Sequence, residues 1–223
     1  MPEFPLDLRV RRTWRGLIFY SLDEHDAFCF QVLHIVKHIL YNWCRLGWLW
    51  EIDWYLNTRP ADSLFWQELN TDLERDERWA EVVALVTSLA ARLFQPALPK
   101  RMKARIPGAM RDHVALWVDR YGLRSALDNF SKDKYALFLH REFVKDESTW
   151  QTIRTSRLLP LHRPNQLAGS ATPVTFAPLP ESWRQTWYVV RRAIHHSLAA
   201  TAYAWESVRW DRLRRQSAGR DLA

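Results

Sequence analysis

The sequence predicts an all-α fold, an irregular multi-helix bundle in which a Pro-rich loop precedes a long C-terminal helix. Three observations support this prediction. The chain has only 6 glycines in 223 residues and few alternating β-branched runs, which argues against an extensive sheet. Apolar residues recur three and four positions apart through several long stretches. Most of the 13 tryptophans lie in those stretches, where large rings fill the space between helices.

The bulk composition limits the classes of partner and compartment. A formal net charge of +7 and a pI near 9.7 suit nucleic acid, nucleotides or an acidic surface. The charge is spread along the chain, so a merely soluble basic protein is an equal alternative. Cys29 and Cys44 are the only cysteines, which excludes a disulfide framework and a Cys-rich zinc site, and both are expected to be buried. No signal peptide or membrane-length apolar run is visible, so we expect a cytoplasmic protein.

Shifts in composition divide the chain into five segments. We predict an N-terminal arm (1–20), a helical core (21–157), a Pro-rich surface loop (158–180), a C-terminal helix that packs on the core (181–217) and a frayed tail (218–223).

The N-terminal arm contains one strand candidate, Leu17–Tyr20. A lone strand has no sheet to join, so this segment either pairs with something outside the chain or lies as an irregular arm across the helices. Immediately afterwards, Ser21 and Glu24 have the spacing of a capping box, which predicts the start of the first helix.

Helical periodicity and helix-end signals place the elements of the core. The first four helices are predicted at about 22–41, at 43–57, from Asp62 or Ser63 to about Leu69, and from a capping box at Thr71 and Glu74 to Gln95-Pro96. A basic linker, two short helical pieces (111–120 and 124–130) separated by a C-cap at Tyr121-Gly122, and two further helices (132–144 and 148–157) follow.

The last helix carries a continuous stripe at four-and-three spacing. Its members are Trp183, Trp187, Val190, Ile194, Ser197, Thr201, Trp205 and Val208. We expect this stripe to face the core.

A polar stripe on the first helix is the leading binding candidate. His34 and His38 are four residues apart, so their imidazoles share a helix face, and Lys37 lies beside them. A zinc hydrolase motif would place Glu after the first His, and no third ligand is evident, so we predict no metal site here. A phosphate-facing patch and a structural packing role both stay open.

Two further pairs of residues have side chains of the types found in metal-binding and phosphate-cleaving sites. Glu51 and Asp53 resemble the acidic pair that holds magnesium in nucleotide-transferring enzymes, but in a helix their carboxylates diverge by about 200°. An ion pair of either acid with Arg45 or a neighbouring His is the ordinary alternative. Arg191 and His196 have the spacing of a nuclease pair that binds phosphate and moves a proton. In the ordinary alternative, His195 and His196 adjoin the apolar stripe and are simply partly buried.

Several segments, taken in order, match a family pattern. They are Leu33-His34 through Lys37-His38, then Trp43, Arg45, Leu46, Trp48, Leu49, Glu51 and Ile52, then Leu93–Pro99, and last a Pro-rich loop (172–180) before Trp187–Arg191. Over roughly residues 20–195 the chain resembles the bacterial family of uncharacterised nucleotidyltransferases, within the polymerase-β-like superfamily. The resemblance is limited to the helical C-terminal portion of the proteins in that family.

The resemblance implies a helical region that follows a catalytic half, in which a strand carries an Asp-x-Asp pair. Only twenty residues precede Ser21, and they contain no such pair. The resemblance therefore implies that this chain is a non-catalytic portion, truncated or degenerate, which is inactive alone. It also implies that the phosphates of a bound nucleotide would lie nearest His34, Lys37, His38 and Arg45. No cofactor is expected in this chain itself. Magnesium and a nucleotide would come with a separate catalytic subunit.

Two other functions remain open from the sequence. One is a basic helical module that binds or cleaves RNA through Arg191, His196 and the last helix. The other is a scaffold for a partner chain or a second copy, which would present an exposed Trp-rich patch.

Overall fold

A computed structural model describes residues 9–60, 63–96, 98–128, 133–159 and 181–218. The chain divides into two compact units, Met1–Phe130 and Ser131–Ala223, and each is described by itself. The five predicted segment boundaries stay a prediction. The predicted Pro-rich loop and frayed tail, except for the residues at their edges, lie outside the described residues.

The first unit begins with two strands, β1 (Arg9–Trp14) and β2 (Leu17–Leu22). Its helices are α1 (Glu24–Leu40), α2 (Leu46–Thr58), α3 (Leu64–Arg75), α4 (Glu77–Phe94), α5 (Lys100–Gly108), α6 (Asp112–Trp117) and α7 (Leu123–Leu127), with a π-helical turn (Val118–Gly122) between the last two. The second unit contains α8 (Ala136–Phe143), α9 (Glu147–Leu158) and α10 (Glu181–Ala218). The mainly all-α prediction is confirmed.

The predicted strand exists, but its partner lies within the chain. β1 and β2 pair antiparallel, with Trp14 opposite Leu17. Arg15 and Gly16 form the two-residue turn with φ of 47° and 80°, the left-handed conformation that such hairpin turns need. The expectation of a strand without a partner in this chain is therefore wrong.

Both predicted capping boxes are wrong, because aspartates cap the helices instead. Ser21 lies in β2, where its hydroxyl accepts from Arg12 Nε at 2.8 Å, and Asp23 caps α1 by accepting from the Asp26 N–H at 2.7 Å. Thr71 lies inside α3 and donates to the carbonyl of Gln67. Asp76 begins α4 by accepting two backbone N–H bonds, from Arg78 and Trp79.

Helix α4 forms the centre of the first unit, as its apolar repeat predicts. Val83, Leu85, Val86 and Leu89 are buried, and α4 packs against α1, α2, α3 and α5. It ends at Gln95, whose left-handed φ of 56° closes the helix as predicted before Pro96.

Two expectations downstream of α4 are corrected. The basic linker contains a helix, α5, and Tyr121-Gly122 lies in a π-helical turn that leads directly into α7 instead of ending a helix. Close packing on α4 explains the glycine, because a Cβ at Gly122 would lie 2.6 Å from Leu89 Cδ2.

In the second unit, α10 packs through the opposite face from the one predicted. Phe138 of α8 stacks on Tyr203 and Trp210 with ring centroids 4.9 and 5.2 Å apart. The predicted stripe is exposed, for example Trp187 at 67 % and Trp205 at 75 %. Both faces of α10 are rich in aromatic residues, so periodicity alone did not identify the packed one.

Among the described residues, no helix combines the length and the apolar character that crossing a bilayer requires.

Candidate functional site

The predicted polar stripe on α1 lies in a cluster of aromatic rings. His34 and His38 have ring centroids 4.4 Å apart, and Trp48 of α2 lies 4.6 Å from the first and 4.7 Å from the second. Trp43, from the connection between the helices, lies 4.8 Å from His38. We call His34, His38, Trp43, Trp48 and the adjacent Arg45 the His–Trp cluster.

A tight reversal after α1 positions this cluster. The helix ends at Leu40, Asn42 takes a left-handed φ of 58°, and the N–H of Trp43 donates to the carbonyl of His38 at 2.8 Å. Cys44, which follows, is fully buried and anchors the turn, so its predicted burial is confirmed. The turn therefore places Trp43 against His38, directly before α2 begins.

The cluster carries positive charge on an aromatic surface. The Arg45 guanidinium lies 5.2 Å above the ring centre of Trp43 and 5.4 Å above that of Trp48, a cation–π arrangement that orients it. Arg45 and Lys37 are exposed. Burial, and then the neighbouring His34, Lys37 and Arg45, lower the pKa of His38 below its ordinary value of 6.5.

The cluster continues into a cleft between β2, α1 and α2. Phe30 lies one helical turn before His34 and stacks on it with ring centroids 6.2 Å apart. Phe30 also lines the cleft, which has a volume of about 510 Å³. The other residues that line it are Arg12, Ser21, Leu22, Asp23, Glu24, Ala27, Gln31, Glu51, Trp54, Tyr55 and Arg59.

The cleft combines aromatic rings with paired polar groups. Arg59 is nearly buried, lies 4.3 Å above the Tyr55 ring and pairs with Glu24 at 3.5 Å. Across the helices, Gln31 donates to Glu51 at 2.5 Å. Such a mixture of donors, acceptors and ring faces suits a planar polar ligand.

The acidic pair lies in a helix, as expected. Glu51 and Asp53 both belong to α2, so their carboxylates point about 200° apart. The partner observed for Glu51 is Gln31 of α1, rather than the Arg45 or histidine of the ordinary alternative.

The second predicted pair lies on α10. Five positions separate Arg191 from His196, which sets them about 140° apart around the helix. Arg191 is exposed, whereas burial, Lys134, His195 and Arg192 lower the pKa of His196 to about 4. Helical geometry therefore does not bring these two side chains onto one face.

The structure thus brings His34, His38 and Arg45 together and places Lys37 beside them. Sequence reasoning missed the cleft and the role of Phe30. The spacing of Phe30, His34 and His38, each four residues from the next, is the signal that predicts one continuous ring stripe.

Comparison with known proteins gives one family. The profile of a family described as "Uncharacterised nucleotidyltransferase" matches residues 2–95, less than half of the chain. The match contains the His–Trp cluster, the cleft and all of β1 to α4. The resemblance to a nucleotidyltransferase family is thereby confirmed over these residues, whereas the segments from Pro96 onward lie beyond the match. No curated protein and no solved structure matches the chain.

Proposed function

We propose that this chain binds a nucleotide on the surface formed by α1 and α2, as the helical, non-catalytic portion of a nucleotidyltransferase-like protein. This proposal depends on the overlap of two observations in one segment of the chain. The segment that matches the nucleotidyltransferase family is also the segment whose cations and histidines gather on aromatic rings beside a cleft.

The phosphates would lie on the His–Trp cluster. Lys37 and Arg45 supply positive charge, and Arg45 is oriented by the rings beneath its guanidinium. His38 has a lowered pKa and is largely neutral at pH 7, so it offers one ring N–H as a donor. Charge-assisted hydrogen bonds from such groups are the usual way in which proteins hold phosphate oxygens.

The nucleoside would occupy the adjoining cleft. Its volume of about 510 Å³ lies within the range of small-ligand sites. Phe30, Trp54 and Tyr55 offer ring faces for a base, and the Gln31–Glu51 pair offers donors and acceptors for its edge or for the ribose.

Nucleotide transfer would need an acidic metal site from a separate catalytic subunit. Glu51 and Asp53 diverge on α2, and this arrangement does not let two carboxylates share one magnesium ion. We therefore expect the chain alone to bind a nucleotide without transferring it, and magnesium to act with the partner.

The test is calorimetric titration of the purified chain with ATP and GTP. Removing the cations in Lys37→Ala/Arg45→Ala should weaken binding at least tenfold, because hydrogen bonds to charged groups contribute about 1.5–3 kcal/mol each. Lys103→Ala, an exposed lysine on α5, is the matched control and should bind like the wild type.

Equal binding by the double variant and the wild type would refute the proposed site. RNA binding that weakens steeply with salt and depends on Arg191 and His196 would favour the nucleic-acid alternative instead. Association with another chain without nucleotide binding would favour the scaffold.

A further inference from the structure

Three side chains of metal-binding type converge between the start of α1 and the last turn of α3. His25 and Cys29 are four residues apart and share one face of α1, and Asp72 reaches them from α3. His25 Nε2 lies 3.6 Å from Cys29 Sγ and 3.2 Å from Asp72 Oδ2. All three residues are half-buried, and their ligand atoms all lie within 4.8 Å of one another.

These spacings fit one tetrahedral ion. Zinc binds sulfur at about 2.3 Å and nitrogen or oxygen at about 2.0–2.2 Å. Tetrahedral angles then set a nitrogen and a sulfur ligand about 3.6 Å apart, and a nitrogen and an oxygen ligand about 3.4 Å apart. The two observed distances differ from these values by no more than about 0.2 Å.

The same histidine nitrogen faces both of the other ligands. This arrangement differs from a catalytic Cys–His–Asp triad, in which the base uses one ring nitrogen for each neighbour. The other nitrogen, His25 Nδ1, lies 3.8 Å from Asp26 Oδ1. At this distance the two atoms make no hydrogen bond, and Asp26 adds negative charge on that side of the imidazole.

The electrostatic surroundings favour a cation. The carboxylates of Asp23, Asp26 and Asp72 all lie near the imidazole of His25, and Asp72 shares one cluster with His25 and Cys29. A divalent ion at the centre would offset this negative charge and stabilise the thiolate that binds it.

We propose that His25, Cys29 and Asp72 form a zinc site that joins the first turn of α1 to α3 and leaves a fourth position for water or another ligand. The ligand types select the metal, since thiolate and imidazole favour zinc over magnesium or calcium. The site is separate from the His–Trp cluster and does not depend on nucleotide binding.

Zinc titration of the chelator-treated full chain, in competition with a chromophoric chelator, tests the site. We expect one equivalent of zinc to bind. Cys29→Ser and Asp72→Asn should each weaken zinc binding at least tenfold, since even residues that only hydrogen-bond to a metal ligand contribute about tenfold to metal affinity. Glu68→Gln, an exposed carboxylate on the same helix as Asp72, is the matched control and should leave zinc affinity unchanged.

Cobalt substitution gives a second readout. Co²⁺ should produce a thiolate-to-metal charge-transfer band in the wild type and none in Cys29→Ser. Zinc binding of equal strength in Cys29→Ser and Asp72→Asn would overturn the proposal and would place the metal elsewhere, for example at His34 and His38.

A measurement on the wild type alone covers the case in which a variant fails to fold. Bound zinc should slow the alkylation of Cys29 at least tenfold, as measured by mass spectrometry of the peptide that contains it. Cys44, which is fully buried, serves as the internal reference. An unchanged alkylation rate of Cys29 with and without zinc would contradict the proposal.

Discussion

Two regions of this molecule contain the same residue types in different surroundings. On α1 and α2, His34 and His38 lie against Trp43 and Trp48, and the exposed Lys37 and Arg45 lie beside them.

On α10, His195 and His196 are also adjacent to arginines, and Lys134 is buried nearby. Burial together with like charges lowers the pKa of Lys134 to about 8 and that of His196 to about 4. In the His–Trp cluster, Lys37 and Arg45 are exposed and the guanidinium of Arg45 lies over aromatic rings. Near α10, burial and the neighbouring cations oppose the charged forms of Lys134 and His196.

The largest effect that sharpens this comparison concerns the packing of α10. Phe138→Ala should lower the free energy of unfolding by about 3–5 kcal/mol, because Phe138 is buried and stacks on both Tyr203 and Trp210. Trp187→Ala, on the exposed face, should change it by less than about 0.5 kcal/mol.

Urea unfolding monitored by circular dichroism measures both variants. If Trp187→Ala destabilised the chain as much as Phe138→Ala, the predicted stripe, and not the observed face, would be the packed one.

A smaller effect on the stability of the fold is expected when the pH is lowered. The pKa of His196 is lowered to about 4 in the fold from an ordinary 6.5, so the unfolded chain binds the proton more readily. The stability associated with neutral His196 is therefore fully present above pH 6.5 and is lost as the pH falls toward 4.

His196→Gln removes this group and should reduce the fall in melting temperature over that range. The measurement is thermal unfolding at a series of pH values, with His38→Gln as the comparison from the other region. A pH profile that His196→Gln leaves unaltered would show that His196 is not buried as a neutral group.

The smallest effect is a titration shift within the His–Trp cluster. Burial is the first cause of the lowered pKa of His38, and Trp48 covers it with ring centroids 4.7 Å apart. Trp48→Ala should therefore raise the pKa of His38 toward its ordinary value, as measured by NMR titration of the imidazole signals. Trp187→Ala is the control, and a pKa that stayed lowered in Trp48→Ala would assign the shift to the neighbouring cations.

The sequence predicted those parts of the fold in which one residue pattern has one interpretation. Helix α4 has a single apolar face and a Gln95-Pro96 end, so its extent was readable. Helix α10 has aromatic residues on two faces, and the choice between Trp187 and Tyr203 depends on Phe138, which is far away in sequence. Ser21 satisfied a capping pattern, but pairing of β2 with β1 takes it into a strand.

The candidate site also has parts that the sequence predicts and parts that it does not. The i,i+4 spacing of His34 and His38 on one helix is local information, and the structure places them as that spacing predicts. The cleft requires β2, α1 and α2 together, and Asp72 reaches His25 and Cys29 only because α3 packs on α1. Contacts of this kind come from tertiary packing, which no local spacing specifies.

The most direct test of nucleotide binding on α1 and α2 is photo-crosslinking of the full chain with an azido-ATP, followed by mass-spectrometric mapping. We predict that labelled peptides come from residues 30–59, that excess ATP suppresses the labelling, and that Lys37→Ala/Arg45→Ala loses it. ATP-protected labels confined to residues 181–218 would contradict the proposed site.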